Sequence, residues 1–293
     1  MKELNHKPEK ICVVWHPKLP EAQKEARLVQ DALISAGASR VEGLSLFDPV
    51  FQNTVSEGGY DVVIAMGGDG TMIRVGKLCA TQKIPVMGIN MGSLGFLIET
   101  PQNKWQEQII PLLNGEWKIE ERMMMHVNLL RKNGEILEWD ALNDVVIARG
   151  AELHPIKLHV SVSGSYLTTY VADGLIVSSA TGSTAYSMAV GGPVLQPEMR
   201  NILVIPVAPH LCMDRALILE EGETVEIKLS TGFSAVLSPD GTDTTPVSNS
   251  DIITVSSSDK SAQFVRFHDI GFFYQNFIQY MQRNPRSSEN GSL

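Results

Sequence analysis

The stretch that most limits what this chain can become is Gly67-Gly68-Asp69-Gly70-Thr71, directly behind the apolar run 61–66 (DVVIAM). A short apolar run followed by glycines predicts a buried strand, a tight turn and then a helix, here starting near Met72. Glycines let a backbone approach a phosphate closely, and a helix N-terminus behind them favours negative charge. The acid is the unusual element. Asp69 among phosphates would repel them unless it holds a metal ion or takes a proton from an attacking hydroxyl. The turn therefore points to phosphoryl transfer centred on Asp69.

The same strand–turn–helix logic extends through the N-terminal part. Residues 11–15 (ICVVW) fit a buried parallel strand. Over 21–36, Ala22, Ala26, Val29, Leu33 and Ala36 recur at three- and four-residue steps, and Gly37 stands where a C-terminal cap belongs. Strand 61–66, helix 72–80 and strand 84–90 follow. This alternation predicts a parallel sheet covered by helices, with ligands at the carboxyl ends of the strands. From about residue 120 the pattern changes. Runs at 123–131 and 135–140 flank Asn133-Gly134, a hairpin signal. Further strand-like runs fall at 158–162, 175–179, 202–207, 224–229, 235–237, 252–256 and 263–267, and a helix at 272–282. The expected organisation is an α/β domain over 1–120, an all-β, sandwich-like domain over 121–270, a helix at 271–283 packing back on the first domain, and a flexible tail over 284–293.

Bulk properties narrow the classes. With 293 residues, two domains are expected. A net charge of −9 without a Lys/Arg cluster argues against nucleic acid and anionic membrane as partners. Cys12, Cys79 and Cys212 form no CxxC pair, which points to a reducing compartment and small core residues. The first ten residues lack a signal-peptide core, and no apolar run is long enough to span a bilayer; a cytoplasmic protein is the expectation.

Two further segments could carry chemistry. Asn143-Asp144 precedes an apolar strand and could either cap a turn or grip ribose hydroxyls, since Asn donates and accepts while Asp accepts twice. Residues 173–193 end a strand in a small, hydroxyl-rich turn closed by Gly191-Gly192-Pro193. There Thr184 could bond a base edge and Tyr186 could stack on a ring or fill the core. Arg74, within the first turn or so of the helix at 72–80, where a cation is unfavourable to the helix dipole, is either a phosphate contact or a solvated cation. The loop 90–96 (NMGSLGF) could form a second wall of the phosphate site. His16, His154, His159, His210 and His268 have no metal-ligand spacing. A Walker loop, a Gly-x-Ser-x-Gly elbow and a dinucleotide fingerprint after the first strand are all lacking.

In this order GGDGT at 67–71, LNDVVI at 142–147 and DGLIVSSATGSTAYS at 173–187 with GGP at 191–193 resemble the NAD kinase family, as do PVAPH at 206–210 and Arg215. The likeness spans roughly 11–283. GGDGT alone is also similar to loops of lipid kinases and phosphofructokinases; the 181–193 segment is the more specific. The resemblance implies phosphorylation of NAD by ATP at the 2′-hydroxyl of the adenosine ribose, to NADP. A lipid kinase of the diacylglycerol or sphingoid type and a non-catalytic NAD(P)-binding regulator are the alternatives. It further implies Mg²⁺ or another divalent cation, held through phosphates with Asp69 as a possible ligand, and a homodimer or homotetramer. By the resemblance Asp69 is the general base, within a phosphate loop of Gly67, Gly68, Gly70 and Thr71. Asn143 and Asp144 hold ribose hydroxyls, and Asp173 contacts the nicotinamide end, across a subunit interface. Thr184, Ala185, Tyr186 and Ser187 lie around the adenine, with His154, Ala208 and Arg74 also lining the site. The chain departs from the family at Asp144, where Glu is usual, at Ala189, where Ser is frequent, and at Thr242, where Gln is common. The shorter Asp144 puts its reach to the ribose in doubt, and Ala189 removes one polar contact near the adenine.

Overall fold

The computed structural model describes residues 2–3, 7–92, 95–210, 213–242 and 244–282. The expected tail, Cys212 and part of the 90–96 loop lie outside them. The chain divides into two units: Met1–Glu121 with Ala262–Leu293, and Arg122–Ser261.

In the first unit β1 (Lys2–Glu3), β2 (Lys10–Trp15), α1 (Pro20–Ser35), β3 (Arg40–Ser45), α2 (Pro49–Ser56), β4 (Val62–Gly67), α3 (Asp69–Ala80), β5 (Val86–Asn90), β6 (Thr100–Pro101) and α4 (Gln106–Asn114) follow one another. Strand β7 (Lys118–Leu130) then enters the second unit. There β8 (Ile136–Ala141), β9 (Asp144–Arg149), β10 (Ile156–Val162), β11 (Ser165–Ala172), β12 (Gly174–Ser178), the short α5 (Tyr186–Ala189), β13 (Asn201–Val207), β14 (Leu217–Glu220), β15 (Val225–Leu229), β16 (Ala235–Pro239) and β17 (Thr245–Val247) follow. Strand β18 (Ile252–Arg266) returns to the first unit, which ends with α6 (Gly271–Gln282).

The first unit is α/β. Its strands run in the order β3-β2-β4-β5, then the end of β18, every neighbouring pair parallel. All six residues of β4 are buried, as a strand covered on both faces requires. Helix α1 lays Ala22, Ala26, Val29 and Leu33 on the sheet, all fully buried. Burial of Val29 and Leu33 stabilises by about 1.5–3 kcal/mol each. Gly37 at φ +96° ends the helix: Ala38 N–H bonds Leu33 O at 3.0 Å, a backbone path open to glycine. Helix α2 follows a capped start: Asp48 accepts from Val50 N–H at 2.9 Å and Pro49 occupies the first turn.

The second unit is antiparallel. One sheet has the order β14-β13-β12-β9-β16-β17. The other strands form β11-β10-β15-β18 and the hairpin β7–β8. One core joins both sets, with Val145, Ile147, Leu175, Val177 and Leu237 meeting Leu158, Val160, Tyr170 and Ile227. This is sheet-on-sheet packing.

Three sequence expectations change. Helix α3 begins at Asp69 rather than near Met72, because Gly68 takes the capping position and Met72 N–H bonds Gly68 O at 3.1 Å. Asp69 is thus the first helical residue. The runs expected at 252–256 and 263–267 join into one strand, β18, which ends at Arg266 and whose polar middle lies at the surface. Residues 262–266, grouped by sequence with the β-rich domain, fall in the first unit, where Phe264 pairs with Val86.

Candidate active site

In the first unit, β4 delivers the glycine turn to the carboxyl edge of the parallel sheet. The Asp69 carboxylate is tied down on both oxygens: Oδ2 accepts from Phe96 N–H at 2.8 Å and Oδ1 from Leu97 N–H at 3.1 Å. Gly95 has to be glycine, because a Cβ there would overlap that carboxylate. Gly67 is required by Thr71, whose side chain fills the space of its missing Cβ. Gly68 and Gly70 differ. Nothing lies within 4 Å of where their Cβ atoms would be, so the protein's own packing does not demand glycine there. These two leave room for a ligand beside the start of the helix, whose dipole favours an anion there.

The loop that holds Asp69 is itself braced. Leu97 O accepts from Arg266 Nη1 at 3.0 Å, and Arg266 bonds Glu120 Oε1 at 3.0 and 2.7 Å, with Glu99 at 3.7 Å. Arg266 is 3% exposed, a buried cation spanning from the end of β18 to the Asp69 loop. The sequence offered no sign of this role, since the contact joins residues far apart in the chain. Asn90, at the end of β5, folds its amide onto Gly92 O at 2.7 Å. A cavity of about 460 Å³ opens there, lined by Glu25, Asn90, Gly92 and the amides of Gln102, Asn103 and Gln106.

Arg74 lies in the second turn of α3, not the first, so its conflict with the helix dipole is weaker than the sequence implied. Its guanidinium sits 5.0 Å from the Phe47 ring centre, and His16 meets the same ring edge-on. Burial, Lys18 and Arg74 lower the His16 pKa, keeping the imidazole neutral near pH 7. Cys12 and Cys79 are buried, and desolvation pushes the Cys12 thiol up to about 12, so neither is a nucleophile. Among the described residues no group of three or more His, Cys, Asp or Glu could hold a metal. Asp69 is the one carboxylate in the glycine turn, which suits a cation held mainly by a ligand's phosphates.

In the second unit Asn143 and Asp144 stand where β9 begins. The antiparallel register places Ser178 of β12 opposite Asp144, and Pro239 of β16 opposite Val145. Ser179 N–H and Ser178 Oγ both bond Asn143 O, at 2.9 and 3.1 Å. A Cβ at Gly182 would overlap that same carbonyl. The Asn143 Oδ1 is buried with no partner. Asp144 is 6% exposed; burial, and then the Asp240 carboxylate, push its carboxyl up to about 7. Asp240 stands in the turn that follows β16, and no sequence signal singled it out. Thr242 closes that turn, bonding Pro239 O through its hydroxyl at 2.6 Å.

After β12 a turn of 3₁₀ helix spans Thr181–Thr184 and leads into α5. Arg122 Nη1 bonds Thr181 Oγ1 at 3.3 Å. Thr184 and Ala185 are half-buried, and Ala189 is exposed. Tyr186 is 44% exposed, so it is not the core aromatic that its spacing allowed. Ser187 is buried with an unpartnered hydroxyl, pressed against Gly192, where a Cβ would be 2.5 Å from its Oγ.

The remaining candidates gather at the opposite end of the same sheet. Asp173 precedes β12 and pairs with Arg149 Nε at 3.1 Å. Ala208 follows β13 at φ +47°, and His154 stacks on Phe233 at 4.3 Å. With β12 five residues long at about 3.3 Å each, Asp173 is roughly 16 Å or more from the Asn143–Asp144 end. Within one second unit the structure thus forms two clusters, not one.

Comparison with known proteins bears on both units. A model described as the ATP-NAD kinase N-terminal domain matches residues 18–117, and one described as the ATP-NAD kinase C-terminal domain matches 142–267. The NAD kinase of Chloroflexus aurantiacus is 32% identical over 276 residues, which cover 94% of this chain and 99% of that protein. The NAD kinase of Natranaerobius thermophilus is 38% identical over 214 residues, 73% of this chain and 75% of that one. The crystal structure of yeast NADH kinase complexed with NADH matches with a TM-score of 0.78 at 21% identity, covering 98% of this chain and 91% of that one. That of an NAD kinase from Archaeoglobus fulgidus in complex with ATP matches at 0.74 and 21%, covering 94% and 100%. At that identity the two structures speak to the fold. With both halves matched, and a 32% identical relative covered almost end to end, the chain belongs to the NAD kinase family.

Proposed function

We propose that this chain transfers the γ-phosphoryl group of ATP to the 2′-hydroxyl of the adenosine ribose of NAD, giving NADP and ADP. The observation that carries the reading is the Asp69 carboxylate, fixed by Phe96 and Leu97 N–H beside two glycines whose Cβ space is open. Family membership and the named ligands of the two structural neighbours, NADH and ATP, support it.

A secondary hydroxyl is a poor nucleophile at neutral pH and needs an acceptor within hydrogen-bond reach. A carboxylate offers about four acceptor sites, so Asp69, held by the Phe96 and Leu97 N–H groups, can take up the hydroxyl proton. As that proton moves to Asp69, the ribose oxygen bonds the γ-phosphorus and the β–γ bridging oxygen departs with ADP. The N–H groups at the start of α3 stabilise the charge on the transferring group. Mg²⁺, carried on the donor's phosphates, would neutralise further charge there. Gly68 and Gly70 admit the phosphates, and Arg74 adds a cation on the same helix.

Asn143 and Asp144 hold ribose hydroxyls, with the orphan Asn143 Oδ1 as one acceptor. Thr184, Ala185 and Tyr186 frame the adenine, Tyr186 offering an exposed ring face; Ser187 and Ala189 complete that wall. The second cluster, Asp173 with Ala208 and His154, serves the nicotinamide end of a dinucleotide held by another copy of the chain. A homodimer or homotetramer follows from that assignment, and the cytoplasm is its proposed setting. The test is direct: purified protein, NAD, ATP and Mg²⁺, with product mapped by ³¹P NMR. A 2′-phosphate on NAD is expected; its absence, or transfer to a diacylglycerol instead, would overturn the reading.

A further inference from the structure

The Asn143–Asp144 corner is held by a residue outside the proposed ligand set. The Asp240 carboxylate accepts three consecutive backbone N–H groups: Leu142 at 3.1 and 3.0 Å, Asn143 at 2.7 Å and Asp144 at 3.3 Å. In return Asp240 N–H bonds Asp144 O at 2.8 Å. Asp240 does this from φ +52°, a conformation uncommon for a side-chain-bearing residue and one that Asp tolerates better than most. Three N–H groups converging on one carboxylate form an anion nest, here filled by the protein itself. The residue the nest aims is Asn143, whose buried Oδ1 has no partner.

We propose that Asp240 is a positioning residue for ribose recognition: its carboxylate locks the 142–144 backbone and places a negative charge beside the Asp144 carboxyl. This rests on the NAD kinase reading of the site. The charge argument is isolated by the surroundings. Facing Asp144, β12 (GLIVS) and β16 (AVLSP) carry no titratable side chain, nor does the 181–184 turn (TGST). Arg122 is engaged with the Thr181 hydroxyl. Among the described residues, the Asp240 carboxylate is the charge that raises Asp144, second to burial. An ionised Asp144 accepts ribose hydroxyl protons better than a protonated one. NAD binding therefore strengthens as pH rises through about 7, the value Asp144 reaches in the fold.

Two variants separate lock from charge. Asp240→Asn keeps an oxygen for the nest but removes the negative charge. Asp240→Gly suits the positive φ and removes the nest altogether. NAD affinity is measured by calorimetry between pH 5.5 and 8.5, with thermal melts as a fold control. In wild type, affinity should rise with pH. In Asp240→Asn the rise should move to lower pH, because the like charge that opposes Asp144 ionisation is gone. In Asp240→Gly affinity should fall roughly tenfold or more at every pH, as charge-assisted bonds that fix the corner are lost. A folded Asp240→Asn with an unmoved profile, or a folded Asp240→Gly binding NAD as wild type does, overturns the proposal. NADP formation by the wild type is scored separately. Its absence would refute the kinase reading, while its presence with unchanged variants would refute the Asp240 role alone.

Discussion

Replacing Asp144 by Asn should make the protein more stable at neutral pH while weakening its grip on NAD. Asp144 is 6% exposed, and its carboxyl rises from 3.8 to about 7 through burial first and Asp240 second. At about 1.36 kcal/mol per tenfold change in proton affinity, holding it ionised in the fold costs on the order of 4 kcal/mol. Because the folded value lies above the unfolded one, the folded chain binds more protons between them. Stability from this group is complete below about pH 4 and is lost as pH rises through about 7. Asparagine has nearly the same shape and no charge to desolvate. Urea unfolding of wild type and Asp144→Asn at pH 4.5, 6 and 8, without nucleotide, reads the difference. The gap should be about 1 kcal/mol at pH 4.5 and widen to about 4 kcal/mol at pH 8, Asn the more stable. Equal pH slopes, or an Asn variant weaker than wild type at pH 8, would refute the argument. Sites that trade stability for binding in this way are expected where a polar group must stay buried and ready.

Other outcomes follow from the same geometry. Arg266→Met takes the cation from the buried Glu120 and its donor from Leu97 O, so denaturant unfolding should show a loss of about 3–5 kcal/mol, the usual cost of breaking a buried pair. Gly70→Ala meets no protein atom within 4 Å and favours the helix, so the melting temperature should hold or rise. Its KM for ATP should nonetheless increase roughly tenfold, about 1.4 kcal/mol of lost binding, in steady-state assays with ATP varied. Gly67→Ala instead drives its Cβ into Thr71 and should cost about 1–3 kcal/mol in the same melts. A reversed pattern between the two glycines would undo the assignment of Gly70 to ligand space.

Local signals carried much of the fold because they coincide with local physics. The apolar run before Gly67 is a fully buried strand, and the 3.6-residue spacing of Ala22, Ala26, Val29 and Leu33 is the buried face of α1. What escaped is what long-range packing decides. Strand β3 lies at the sheet edge and is only half-buried, so Arg40–Ser45 shows no apolar run. Helix α2 is eight residues long, too short for periodicity, although Asp48-Pro49 signals its start. At the site, the sequence singled out the glycine turn behind a buried strand and the Asn143-Asp144 pair before an apolar one. Their anchors were not: Phe96 and Leu97 reach Asp69 from 27 and 28 residues away, and Asp240 reaches Leu142 from 98. Backbone N–H donors carry no side-chain signature, so such bonds leave no trace in composition or spacing. The separation of Asp173 from Asn143 along β12 was hidden for the same reason, since only strand register reveals which end of a sheet a residue occupies.

The central claim is that Asp69 takes the proton from the ribose hydroxyl. Asp69→Asn keeps an oxygen for the Phe96 or Leu97 N–H but cannot act as the base. The decisive measurement is kcat for NADP formation by this variant beside its NAD affinity and melting temperature. The account predicts a fall in kcat on the order of 10²–10⁴-fold, with NAD affinity and folding close to wild type. Near-normal turnover by a folded Asp69→Asn would contradict it.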